Sequence, residues 1–246
     1  MDLAKFKGRT IVDVLEECFP NVTWNLRGDF HERPIKLDEI KFVHYQRIKP
    51  RDEPDFYTSV QFGDYRIRSF VEKAKESVQD SLGFISLIHF TDLYGGLCEA
   101  HIPMIDFDTD YDFGFMDDQT LLETIKGKIR DHTEMTKGFI LKSGPKRNYH
   151  FVGVGTLLSE VNFVTFVGLA LTMRYKRDDG RVLNLVDARH IGHSLTPLKP
   201  LAELEGIGSD PIYDWSRYNL VKRFSTLRIT PKRGYSNYPL VVDVME

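Results

Sequence analysis

The run Ile102-Pro103-Met104-Ile105-Asp106-Phe107-Asp108 constrains this 246-residue chain more than any other stretch. Apolar residues at 102, 104, 105 and 107 predict a short, largely buried strand. The aspartates at 106, 108, 110 and 112 begin where that apolar run ends. A buried strand ending in carboxylates is a poor way to build a core. Side chains two apart on an extended chain share a face, so Asp106 and Asp108 stand side by side. Two like charges that close repel unless one takes a proton or a cation lies between them, and hard oxygen ligands select Mg²⁺ or Mn²⁺. Asp-x-Asp also occurs in solvated turns and helix caps, so the pair reads as a metal site only with support from the rest of the chain.

The chain has 41% hydrophobic and 28% charged residues, enough to bury a real core. The expected partition is a segment over 1–83 that packs on a core over 84–246, or one continuous domain over 1–246. A net charge of −3 excludes a uniformly basic nucleic-acid binder but leaves room for local basic faces at 142–147 and 222–233. The two cysteines, Cys18 and Cys98, are far apart and outside any Cys/His cluster, which argues against structural zinc or iron–sulfur sites. They suit a reduced, cytoplasmic protein. Residues 1–7 lack the apolar core of a signal peptide, and the most apolar window, Phe163 to Met173, is too short to span a bilayer. No membrane partner is expected.

Along the chain, apolar positions 11, 12, 14 and 15 predict a short amphipathic helix over Thr10 to Cys18, closed by Pro20. Residues 21–54 read as irregular. Ile67, Phe70, Val71, Ala74, Val78 and Leu82 fall at helical spacing, predicting a helix over 65–82 with Gly83 at its C-terminal end. Strands follow at 84–93 and 97–108, with a turn at Tyr94-Gly95-Gly96. His89 and His101 on these strands read as structural. A helix over about 119–135, capped by Asp117 or Asp118, precedes strands at 138–142 and 149–154 and an apolar helix over 161–175. This order predicts a layered α/β (α+β) fold, a mostly antiparallel central sheet flanked by helices, with an N-terminal α/β portion.

Two further features carry chemistry. The loop Ser143-Gly144-Pro145-Lys146-Arg147-Asn148 offers a hydroxyl, a glycine that lets backbone N–H groups approach an anion and two cations, with His150 just beyond. That set suits triphosphate oxygens, and it equally describes a basic hairpin turn with a half-buried histidine at its base. Downstream, Arg181 to Asp187 is another apolar strand ending in aspartate. Asp214 competes as a third carboxylate, but it follows a shorter apolar run beside Pro211 and reads better as a turn or cap.

In this order the motifs resemble the archaeo-eukaryotic primase superfamily. Met104-Ile105-Asp106-Phe107-Asp108 is similar to its first motif, an apolar strand ending in Asp-x-Asp. Asn148-Tyr149-His150, after Ser143-Gly144, is similar to its second, and Val186-Asp187 with the later Leu227-Arg228 to its third. The match runs over about 84–230, with a long loop before His150 and an apparent insertion between Ser194 and Arg223.

The resemblance implies a primase-like catalytic core and a DNA-dependent nucleotidyltransferase, a primase or primase-polymerase. Asp106, Asp108 and Asp187 would hold two divalent ions, Mg²⁺ or Mn²⁺. Ser143, Lys146, Arg147, His150 and Arg228 would bind the nucleoside triphosphate, and a single-stranded DNA template would lie along the remaining basic surface. A helicase or accessory replication subunit is the implied protein partner. Two rivals remain: a non-catalytic nucleic-acid or nucleotide-binding subunit of a larger complex, and a metal-dependent nuclease, against which the basic loop at 143–147 argues.

Overall fold

The computed structural model describes residues 1–28, 34–46, 56–63, 66–76, 80–91, 96–144, 146–195, 224–229 and 238–246. In chain order, the first half comprises β1 (Asn25–Arg27), β2 (Glu39–Gln46), β3 (Phe56–Gln61), β4 (Asp80–Ile85), β5 (Leu87–Thr91), β6 (Leu97–His101) and β7 (Met104–Asp108). Helices α1 (Ile11–Asp13) and α2 (Arg66–Glu76) lie before β1 and β4. The second half comprises α3 (Asp118–Thr133), β8 (Gly138–Lys142), β9 (Asn148–Gly153), β10 (Thr156–Leu158), α4 (Glu160–Ala170), β11 (Arg174–Lys176), β12 (Val182–Asn184), α5 (Ala188–Leu195), β13 (Thr226–Arg228) and β14 (Leu240–Met245).

The central sheet runs β14-β8-β9-β7 and is antiparallel throughout. Its side chains alternate between two cores. Ile105, Phe107, Ile140, Tyr149 and Phe151 pack with Leu121, Ile125 and Ile129 of α3 and Phe163, Phe166 and Val167 of α4. Met104, Phe139, Leu141, Val152 and Val241 face the opposite way, into a cluster with Phe6, Leu15, Phe19, Phe42 and Phe84. The helical layer is anchored at its caps: the Asp117 carboxylate accepts from Thr120 N at 2.8 Å, and the Ser159 hydroxyl accepts from Asn162 N at 3.3 Å. At the other end of α3 the chain leaves through Glu134 at φ 59°, a left-handed cap.

A second antiparallel sheet runs β13-β4-β2-β3, and a third runs β1-β10-β6-β5 with β1 and β10 parallel. β11 and β12 form a hairpin. The result is the mixed α+β, primase-like architecture expected from the order of elements. Among the described residues no helix is long and apolar enough to cross a membrane.

Several local expectations are corrected. Of the helix expected over 65–82, α2 covers Arg66–Glu76, whereas Leu82 and Gly83 lie in β4. There Gly83 pairs with Val43 on one side and Arg228 on the other, while its neighbours Leu82 and Phe84 are buried. Apolar residues at 78, 82 and 84 satisfy both periods, and pairing with two distant strands decides for β. The stretch 21–54, expected irregular, contains β2 at the middle of that sheet. Residues on both sides of position 83/84 therefore share one strand.

The strand expected over 84–93 is divided at Ser86, whose hydroxyl accepts from Ser225 N at 2.9 Å. The one expected over 97–108 is divided at Pro103, and its halves, β6 and β7, enter different sheets. Proline has no N–H to give to a ladder, so the chain changes sheet there. The apolar helix expected over 161–175 ends at Ala170, and Arg174–Lys176 is strand. At the N-terminus, the helix expected over 10–18 continues as a π-helical turn to Cys18 and a 3₁₀ turn over Phe19–Asn21 that contains Pro20. Residues 94 and 95 of the expected turn Tyr94-Gly95-Gly96, Pro145 and the competing Asp214 lie outside the described residues.

Candidate active site

The site is built at the end of the central sheet where apolar alternation runs out. On β7, Ile105 and Phe107 are fully buried against the helices, so Asp106 and Asp108 alternate onto the opposite face. Their side chains are 28% and 45% exposed, which marks the mouth of the site. Antiparallel register sets His150 of β9 opposite Asp106 and Asn148 opposite Asp108. His150 is buried, and its Nε2 lies 3.4 Å from Asp106 Oδ1.

Asp187 arrives from the other side of β7. Phe107 and Val186 form a bridge, Asp108 N donates to Leu185 O at 3.2 Å, and Asp187 N donates to Asp106 O at 3.0 Å. The segment after β12 therefore meets the edge of β7 through a single antiparallel bridge, which sets Asp187 opposite Asp106. Ser143 closes the β8–β9 hairpin, with its N–H donating to Asn148 O at 3.1 Å. Arg228 comes from the second sheet, on β13.

Asp106, Asp108, Asp187, Ser143, His150 and Arg228 all line one pocket of about 300 Å³. Lys146 and Arg147, expected beside them in a triphosphate cradle, are not among its lining residues. Lys146 Nζ pairs with Asp110 at 2.8 Å and lies 4.5 Å over the Tyr111 ring. Arg147 donates to Phe113 O at 3.0 Å and Met116 O at 2.6 Å, and its Nε sits 2.8 Å from Asp118. The acidic stretch after Asp108 captures both cations, and they staple the 109–118 loop.

The residue pattern left four pocket residues without a role, Asn148, Arg189, Thr226 and Leu227. Arg189, on the first turn of α5, grips Asp187 with its backbone N–H at 2.9 Å and with Nε and Nη2 at 3.2 Å each. Its Nη2 also lies 3.9 Å from Asp108 Oδ2. Burial pushes the Asp187 carboxyl up, but the Arg189 side-chain and backbone hydrogen bonds outweigh it and hold the group below the ordinary carboxylate range. The signal for Arg189 was its position two residues after a candidate ligand. Asn148 lines the pocket too, and its shielded Oδ1 finds no hydrogen-bond partner among the described residues. Its signal was the two-residue spacing from His150, which sets both on one strand face.

Three carboxylates and an unmatched amide oxygen form the hard, oxygen-rich donor set that Mg²⁺ or Mn²⁺ takes. In kind, the residues fit such an ion. In posture, Asp187 is turned onto Arg189, and among the described residues no three acidic, histidine or cysteine side chains converge closely enough to enclose one.

An α+β core with this acidic edge beside a strand histidine defines a primase-like domain. The chain belongs to the archaeo-eukaryotic primase group: the family model described as archaeo-eukaryotic primase 1D-like matches residues 61–197, more than half of the sequence. The matched segment includes Asp106, Asp108, Ser143, His150 and Asp187, and stops short of Arg228. No curated protein and no solved structure matches the chain.

Proposed function

We propose that the chain is a DNA-dependent nucleotidyltransferase, a primase or primase-polymerase that joins nucleoside triphosphates on a single-stranded DNA template. The observation that carries this reading is the gathering of Asp106, Asp108, Asp187, His150 and Arg228 around one pocket from four separate chain segments. Asp106, Asp108 and Asp187 would hold Mg²⁺ or Mn²⁺, which supplies acidity to an attacking 3′-hydroxyl and charge neutralisation to the triphosphate.

The chain's own residues do the positioning. Arg228 offers a planar, permanently charged fork to phosphate oxygens. His150, held against Asp106, presents its imidazole beside the carboxylates, where a phosphate oxygen would accept a hydrogen bond from it. In-line displacement at the α-phosphate releases pyrophosphate, with the protein supplying mainly geometry and charge. A helicase or accessory replication subunit is the partner class that fits such an activity.

The second reading is a non-catalytic primase-like subunit that binds nucleotide or nucleic acid within a larger complex. It is favoured by the grip of Arg189 on both oxygens of Asp187. The deciding experiment is nucleotide incorporation on single-stranded DNA, with and without a primer, in Mg²⁺ and in Mn²⁺. The Asp106→Ala/Asp108→Ala double variant is run alongside. Metal-dependent products from the parent alone support the transferase. A parent that binds nucleotide or DNA but makes no product establishes the second reading in its place.

A further inference from the structure

Arg189 is a pocket residue whose described partners are two of the carboxylates that the proposed function assigns to metal. Its side chain is 68% exposed, and the contacts described for it are with Asp187 and Asp108. Its guanidinium stands 3.2 Å from Asp187 Oδ2 and 3.9 Å from Asp108 Oδ2, spanning a carboxylate just before α5 and one at the end of β7. The side-chain contacts at 3.2 Å and beyond are longer than the 2.7–2.9 Å or so of a tight charged hydrogen bond, and the pair faces solvent. Such a pairing exchanges readily.

A guanidinium fork that fits a carboxylate also fits a phosphate. The pocket places Arg189 beside Arg228, Ser143 and His150, so a triphosphate entering it would find Arg189 within the same lining. A divalent ion and Arg189 compete for Asp187, whereas a triphosphate and Asp187 compete for Arg189. Arrival of one ligand therefore relieves the obstacle to the other.

Resting on the transferase reading, we propose that Arg189 is an internal counter-cation: it holds Asp187 and Asp108 in place of a divalent ion, and yields them when an incoming nucleoside triphosphate takes the guanidinium. The device couples metal loading to nucleotide arrival through a coupling free energy between the two ligands. Without nucleotide, the carboxylates are neutralised from within.

The test measures two affinities of opposite expected sign on the full chain. Mn²⁺ binding without nucleotide is read by electron paramagnetic resonance of the free ion, and ATP binding in EDTA by titration calorimetry. Arg189→Met is expected to bind Mn²⁺ roughly fivefold or more tighter than the parent and ATP in EDTA more weakly by a similar factor. Arg189→Lys, which keeps the charge, is expected to lie between. Adding Asp187→Asn to Arg189→Met is expected to remove the gain in Mn²⁺ affinity, locating the ion. Cooperative melting of each variant controls for folding.

Unchanged or weaker Mn²⁺ binding by Arg189→Met overturns the counter-cation role. If the parent still incorporates nucleotide, the transferase reading survives that result. A parent that binds neither Mn²⁺ nor ATP overturns both.

Discussion

The backbone N–H of Asp187 donates to the carbonyl of Asp106 at 3.0 Å, making neighbours of two aspartates far apart in sequence. One hydrogen bond of the sheet edge thus sets the spacing of the candidate ligands. Because the contact is between backbones, replacing either side chain leaves the scaffold that positions the other in place.

Asp106→Ala is accordingly expected to separate function from folding. Incorporation should fall by about 10²-fold or more, as when a principal electrostatic group is deleted from an active site. The strand itself keeps its backbone partners on both sides, and removal of one carboxylate relieves repulsion among three. Thermal unfolding followed by circular dichroism should remain cooperative, with a midpoint close to the parent's. Loss of the cooperative melt together with activity would contradict this assignment.

Lys146 and Arg147 are expected to behave differently from each other and from Arg228. Lys146→Ala removes an exposed pair with Asp110 and should change the apparent KM for nucleotide by no more than about twofold. Arg147→Ala strips two backbone carbonyls, Phe113 O and Met116 O, of a charged donor. It should cost about 1–3 kcal/mol of stability, measured by urea unfolding, without a matching loss of nucleotide affinity. Arg228→Ala, by contrast, should weaken nucleotide binding while leaving the melt intact.

What could be read from residues alone follows from how local each signal is. Asp106 and Asp108 end an apolar run with period two, and His150 sits two residues beyond Asn148 on a strand. Those placements need only alternation and short-range pairing. Asp187 was legible for the same reason. The fate of Lys146 and Arg147 was not, because a cation near several aspartates is claimed by whichever carboxylate the fold brings nearest. Here Asp110 pairs with Lys146 and Asp118 with Arg147. Arg189 escaped notice because a cation two residues from an aspartate reads as a solvated charge until the fold brings Asp108 of β7 within its reach as well. Leu82 and Gly83 were misread as helix because their strand partners, Val43, His44, Arg228 and Ile229, lie far away in sequence. Long-range pairing of that kind leaves no trace in a short window.

Gly138 opens β8 in a place with no room for a side chain. A Cβ there would lie 2.4 Å from Phe151 Cε2 and 2.7 Å from Val152 O. The phenyl ring is itself fully buried against α3 and α4, and the carbonyl belongs to the neighbouring strand's backbone. Gly138→Ala is therefore expected to destabilise by about 1–3 kcal/mol through overpacking, read as a lower urea midpoint with an unchanged slope. An unaltered midpoint would mean that the β8–β9 register differs from the one described.

Asp243 provides the pH dependence. It sits at the irregularity in β14 and pairs with Lys126 of α3 at 2.6 Å and with Lys7 at 2.7 Å, joining the C-terminal strand to a helix and to the N-terminus. Burial pushes its carboxyl up, but the hydrogen bonds from Lys126 and Lys7 outweigh burial and hold it below the ordinary range. A carboxyl whose folded value is depressed binds its proton more readily in the unfolded chain. Its contribution to stability is therefore fully present above the unfolded value, about 4, and is lost as pH falls through the lower folded value. Asp243→Asn should cost about 2 kcal/mol at pH 7, and the gap to the parent should shrink steadily below about pH 4. Urea unfolding of both proteins at pH 7, 4 and 3 checks this. A gap that stays constant across the series would mean that the two lysines contribute through packing of their stems and not through the charge on Asp243.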